Sequence, residues 1–149
     1  MAIMSVARFE RFFRSAAGLD VDKDDLKRYN DFVHHKLHDL LMMGQATARA
    51  NDRGLIMPFD LPITKGLQES IHRFQKLDED IEVQPVLEQL AALPPLDLLV
   101  DEDTQARLPA VAGGLSVALA EAFKIIDPKV KNPGTAHWER AFRIFDLLL

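Results

Sequence analysis

Asp20, Asp22 and Asp24 alternate within GLDVDKDDLKRYND, residues 18–31, a stretch that holds five aspartates. Alternating carboxylates are the ligands of calcium loops, which also need a glycine at the sixth position and a bidentate glutamate at the twelfth. Counted from Asp20, the sixth residue is Asp25, the twelfth is the shorter Asp31, and Lys27 fills the eighth position, where such loops place an apolar residue. The calcium pattern fails at all three. Carboxylates at a helix start instead meet unpaired backbone N–H groups and the positive end of the helix dipole. We read the stretch as a helix start with Asp22 as N-cap. Asp101, Glu102 and Asp103 repeat the device later in the chain.

The other residue groups able to do chemistry are few. His34 and His38 in VHHKLHDL stand one helical turn apart, a spacing that can hold zinc with Asp31 or Asp39. No third ligand accompanies them and no neighbour is placed to orient their rings, so a solvated histidine face is the expectation. None of the four serines lies in a nucleophile-elbow context. Gly113-Gly114 falls inside a helical pattern, which points to a close helix contact and not to a phosphate cradle. Without cysteine there is no thiolate chemistry and no disulfide. The expectation is a non-enzymatic protein with no metal, cofactor or small-molecule substrate.

The elements that carry these residues have the helical period throughout. Phe9, Phe12, Phe13 and Ala16 stripe a short helix from about Ser5 to Ala17, closed by Gly18. A long helix follows to about Asn51, with Leu26, Tyr29, Phe32, Val33, Leu37, Leu40, Met43 and Thr47 as its apolar line. GLIMPF, residues 54–59, is extended, and a third helix is predicted from Asp60, with Pro62 tolerated in its first turn and Ile63, Leu67, Ile71 and Phe74 buried. KLDEDIE, residues 76–82, is predicted as a solvated connection. Pro85 then opens a short helix, Pro94-Pro95 ends it, and Leu96–Val100 is extended. A second long helix runs to about Ile126, with a kink expected at Pro109. Thr135–Leu149 is the last helix.

The pattern short, long, short thus occurs twice, over residues 5–77 and 83–149 within one domain spanning 1–149. With an offset of 79, Leu19, Val21, Asp22, Asp24 and Arg28 match Leu98, Val100, Asp101, Asp103 and Arg107. One repeat alone leaves faces of its long helix uncovered, so the two are expected to pack together. The net charge of −5 is uneven: residues 1–77 carry +2 and residues 78–149 carry −7. An acidic total argues against a protein whose main work is neutralising phosphates. No apolar run approaches the roughly 20 residues that span a bilayer, and Arg8 and Glu10 interrupt any signal-like start, so a soluble, cytoplasmic protein is expected.

This all-α, doubled layout resembles the histone fold, with two copies fused in tandem as a single-chain pseudo-dimer. It is similar to a family of bacterial tandem histone-fold proteins of unknown function. The resemblance is sharpest in RGLIMPFD, where Arg53 and Asp60 keep the seven-residue spacing of the histone second-loop pair. It implies that Arg53 and Asp60 bind each other and fix that loop. The histone groups that grip DNA are mostly replaced: Asp20 and Leu99 stand for the first-loop arginine, Gly54-Leu55 for the Lys-Thr pair, and the second half has only Lys129 and Lys131 at its second loop. The resemblance therefore implies a protein-interaction module more than a DNA binder, with a protein partner or self-association. The alternative is weak, non-sequence-specific DNA binding through Arg8, Arg11, Arg14, Lys23, Arg53, Lys129 and Lys131. The expected interaction surface lies near the carboxyl end, at Trp138, Phe142, Phe145, Leu148 and Leu149.

Overall fold

The computed structural model describes residues 2–149. It places six α-helices there: α1 (Val6–Ala17), α2 (Lys23–Ala50), α3 (Lys65–Lys76), α4 (Val83–Ala91), α5 (Glu102–Ile126) and α6 (Thr135–Leu148). Local chemistry sets their ends. The Ser5 hydroxyl accepts from the Arg8 N–H at α1, and Gly18, in the left-handed region at φ 64°, closes that helix. Asp22 and Asp25 form a capping box at α2, in which each carboxylate accepts a backbone N–H of the other's turn. Asp101 accepts from Asp103 N–H at the start of α5. Both acidic clusters are helix starts.

α3 begins later than the sequence suggests. Pro58–Asp60 forms a 3-10 turn, Leu61–Ile63 is non-helical, and Thr64 caps a helix that starts at Lys65. The two prolines explain the delay: Pro58 suits a tight turn and Pro62 disfavours helix at the residue before it. α4, by contrast, starts earlier than expected, at Val83, two residues before Pro85, which sits in the first turn, where a missing N–H costs nothing. Pro109 lies inside α5, and the helix continues through it.

Two strands of two residues each, β1 (Leu55–Ile56) and β2 (Leu99–Val100), pair in parallel with Leu55 opposite Leu99 and Ile56 opposite Val100. Asp101 N–H and the Thr104 hydroxyl both donate to Ile56 C=O, and Gln45 of α2 accepts from the N–H groups of Asp97 and Leu98. At the other end of the molecule Asp20 N–H donates to Lys131 C=O at 2.6 Å.

α5 is the centre of the core and packs against α1, α2, α3, α4 and α6. At 25 residues and with a window of mean hydropathy 1.5, it reaches the length and composition of a bilayer span, contrary to the expectation that no run does. More than half of that window is buried against the other helices. Gly113 and Gly114 let α3 lie directly on it: a Cβ at Gly113 would overlap the Phe74 ring, and one at Gly114 would overlap Ile71. Tyr29 of α2 and Ser116 of α5 hydrogen-bond at 2.7 Å in the interior, so the phenol is satisfied where α2 meets α5. Phe9, Phe13, Phe123 and Trp138 complete an aromatic centre around them.

The inner line of α2 departs from the expected stripe at its end. Met43 and Thr47 are exposed, and Gly44, Gln45 and Ala48 face inward. Gly44 is there because Ile56 and Leu61 approach to 3.1–3.3 Å of where a Cβ would be.

Candidate functional site

Arg53 and Asp60 meet as a two-pronged ion pair. Guanidinium nitrogens donate to the two Asp60 oxygens at 2.6 and 2.5 Å, and Met57 N–H donates to the same carboxylate at 2.8 Å. The Asp60 side chain is fully buried. The hydrogen bonds from Arg53 hold its carboxyl below the usual carboxylate range, against the opposing effect of burial. Arg53 also stands 4.9 Å from the centroid of the Phe59 ring. This arrangement braces the loop and commits the guanidinium to Asp60.

The other arginines expected to contact phosphate are also engaged. Arg11 binds Glu79 through two nitrogens at 2.8 and 3.3 Å, Arg8 lies 3.8 Å from the same carboxylate, and Arg8 donates to Asp80 C=O. The Glu79 side chain is only 6% exposed beneath them. The connection between α3 and α4 is therefore no solvated spacer. It is strapped onto α1, and Ile81 is buried with it. Arg14 faces Asp20 at 3.8 Å on the open surface. Lys23, Lys129 and Lys131 form no ion pair among the described residues, and the Asp20–Lys131 backbone contact brings their loops together.

The histidines look toward α4. His34 Nδ1 is 3.2 Å from Gln89 Oε1, and His38 Nε2 is 2.8 Å from Pro94 C=O. Burial pushes the His34 pKa below its ordinary value. Among the described residues no three histidine, aspartate or glutamate side chains gather as a metal site.

At the carboxyl end the expected surface must be redrawn. Trp138 is 1% exposed and Phe145 is buried, so both serve the core. Phe142 stacks on Phe32 with centroids 5.2 Å apart. Leu148 of the expected set is exposed, and beside it the exposed apolar residues are Ile125 of α5 and Ile144 and Leu147 of α6, with Leu147 84% exposed. Leu148 and Leu149 border two adjoining grooves. One, of about 550 Å³, runs between α3, α5 and α6 past Leu67, Ala122 and Ile125. The other reaches Met42 and Met43 of α2. The buried amine of Lys36 ties α2 to α6 through Asp146 at 2.5 Å and lies 3.4 Å from Asp39.

Sequence reasoning missed three exposed apolar residues at the β1–β2 end: Leu55, Phe59 and Leu99. Strand alternation turns Leu55 out and Ile56 in, but a strand of two residues is too short for that alternation to stand out in the sequence. It also missed Met42, Met43, Lys36 and Gln45, which depend on where α6 and β2 return to α2.

Comparison with known proteins gives the chain a context. Residues 9–146 match the family DUF1931, described as a domain of unknown function. An uncharacterised protein of Aquifex aeolicus strain VF5 is 31% identical over 117 residues, covering 78% of this chain and 68% of that one. The crystal structure of a Thermus thermophilus protein is 56% identical, with a TM-score of 0.94 over 99% of both chains. The crystal structure of an Aquifex aeolicus protein is 28% identical, with a TM-score of 0.81 over 96% of this chain and 94% of that one. The histone of Methanopyrus kandleri superposes with a TM-score of 0.60 at 16% identity, over 93% of this chain and 92% of that one. That last likeness concerns the fold alone: six helices arranged as in a histone.

Proposed function

Because the chain belongs to the DUF1931 family, whose function is unknown, and its six helices resemble a histone, we propose that it is a non-enzymatic assembly module. Residues 5–77 and 83–149 form its two histone-like halves, paired within one chain. The apolar face at the carboxyl end packs against a second copy. Two observations support the internal pairing. The loop before α3 meets the loop before α5 as parallel β1 and β2, and the loop before α2 meets the loop before α6 through Asp20 and Lys131. Tyr29 and Ser116 join the two long helices between them.

The observation that carries the assembly reading is the exposure of Ile125, Leu147 and Leu148 beside grooves that continue to Met42 and Met43. Single apolar residues on a surface need no explanation, but a contiguous patch on several elements marks a contact site. Truncation after Asp146 should leave the fold intact and lower the self-association measured by light scattering. A truncated chain with unchanged oligomer mass would remove the basis of this reading.

Weak DNA binding is the competing reading, and one feature favours it: Lys23, Lys129 and Lys131 carry no ion pair, among the described residues, where their loops meet. The two readings separate on salt. Affinity for a 40–60 base-pair duplex resting on three phosphate contacts falls by more than tenfold between 50 and 200 mM salt, whereas apolar assembly holds.

A further inference from the structure

The β1–β2 end differs in chemistry from its counterpart. Where the loops before α2 and α6 meet, the apolar residues Leu19, Val21 and Val130 are buried and the charged residues Asp20, Asp22, Lys129 and Lys131 are exposed. Where β1 meets β2, Leu99 is 74% exposed, Phe59 71% and Leu55 41%. Leu99 stands at the position where the first repeat carries Asp20, so its exposure is no requirement of the fold. Leu55 and Leu99 are register partners, and side chains so paired stand about 5 Å apart on one face of a ladder. Ile56, the inward neighbour, is fully buried.

Leu99 also forms the lip of an apolar groove of about 480 Å³ between α4 and α5, walled by Leu87, Leu90, Leu93, Leu96 and Leu108. α4 buries only Val86 completely, which leaves its leucines half-covered. Acidic groups outnumber basic ones beside this apolar strip, where Arg107, one turn past Asp103 on α5, is the exposed cation without an acid partner among the described residues. Asp101, Glu102 and Asp103 follow β2 directly, and none of them has an ion-pair partner among the described residues; Asp52, just ahead of β1, has none there either. The nearby cations Arg49 and Arg53 are neutralised by Asp97 and Asp60.

We propose that the Leu55–Leu99 strip and the groove between α4 and α5 dock a basic amphipathic peptide segment of a partner protein, its apolar side chains on Leu55, Phe59 and Leu99 and in the groove, its lysines and arginines against Asp101–Asp103. The sign of the rim selects this occupant. Nucleic acid and anionic lipid would both meet an excess of exposed carboxylates at the place where they bring phosphates. A groove lined by leucines takes one face of a helix, and the flanking acids set its orientation and its rate of capture. The site lies on different residues from the carboxyl-end patch, so it stands whether or not that patch assembles the chain.

The test is a titration of uniformly 15N-labelled protein with a synthetic 18-residue Lys/Leu amphipathic peptide, followed by amide chemical shifts at 100 mM salt. A Glu/Leu peptide of the same pattern and a 20 base-pair duplex serve as comparison probes. The expected result is saturable shifts centred on Leu55, Phe59, Leu99 and Glu102–Thr104 for the basic peptide, and none there for the other two. Leu99→Asn, at a solvent-facing site, should weaken the peptide at least tenfold, and Glu102→Lys with Asp103→Lys should weaken it at least fivefold, each leaving the remaining spectrum in place. Shifts confined to Ile125, Leu147 and Leu148, or equal shifts from the acidic peptide, would overturn the proposal. So would full affinity in both variants, or no saturable shift at millimolar peptide.

Discussion

The Arg53–Asp60 pair is the contact on which the β1–β2 end depends, because the buried carboxylate also receives Met57 N–H. Asp60→Ala leaves that N–H and a half-buried guanidinium unsatisfied, and should cost about 1–3 kcal/mol of unfolding free energy in urea. A loss of a few tenths would mean that the loop is held by its backbone contacts alone. The same group gives a pH dependence. Asp60 ionises more readily folded than unfolded, so its stabilisation is complete above the ordinary carboxylate value and fades as pH falls through the lower folded value. Asp127 behaves alike, held low by the hydrogen bond from His137. His34 adds to the trend, because burial favours its neutral ring and unfolding at pH below about 6.5 lets it take up a proton. Asp25 opposes them: burial raises its carboxyl, so its contribution is lost as pH rises. Glu69, held low by the hydrogen bond from Lys65, acts as Asp60 does, and four groups against one predict a melting temperature that drops as pH falls from about 6.5 to about 2, the carboxylates contributing only below about pH 4.5. Circular dichroism reads it, and a flat profile would show that these partners persist in the unfolded chain.

At the scale of elements, the α3–α5 contact is fixed by what Gly113 and Gly114 lack. Gly113→Ala forces the Phe74 ring aside and should cost about 1–3 kcal/mol. Gly66→Ala, in α3 with no atom within 4 Å of the added carbon, should be neutral or gain about 0.5–1 kcal/mol. The contrast between the two, measured by thermal unfolding, separates packing from helix propensity. Much of this level is legible in the sequence. Gly18, Asp22 and Asp101 mark element ends because a cap acts on its immediate neighbours, and Gly113-Gly114 announces a close contact because nothing else rewards glycine in a helix. The start of α3 reads too early because Asp60 and Thr64 are both acceptable caps, and only the restriction that Pro62 puts on Leu61 decides for Thr64. The burial of Glu79 under Arg8 and Arg11, and of Lys36 under Asp146, is hidden for a different reason. Each requires knowing which distant helix comes to lie alongside, and charge spacing along the chain carries no such information.

For the whole molecule, the exposed apolar residues fall mainly into two groups at different places. One holds Ile125, Ile144, Leu147 and Leu148 with Met42 and Met43, and the other holds Leu55, Phe59 and Leu99. The sequence pointed to the first through its terminal leucines but assigned Trp138 and Phe145 to it, which the core claims. It held no sign of the second, because a two-residue strand is too short for alternation to be read. The central claim, that the carboxyl-end face assembles the chain, is tested most directly by light scattering of the wild type and of Leu147→Asp with Leu148→Asp, across 1–500 µM protein at 50 and 500 mM salt. Both substitutions lie on open surface, so the variant should keep the wild-type melting temperature. The wild type should rise well above the 16.8 kDa of one chain, with little change at high salt, and the variant should stay near that mass. A wild type that remains at 16.8 kDa at every concentration would contradict it.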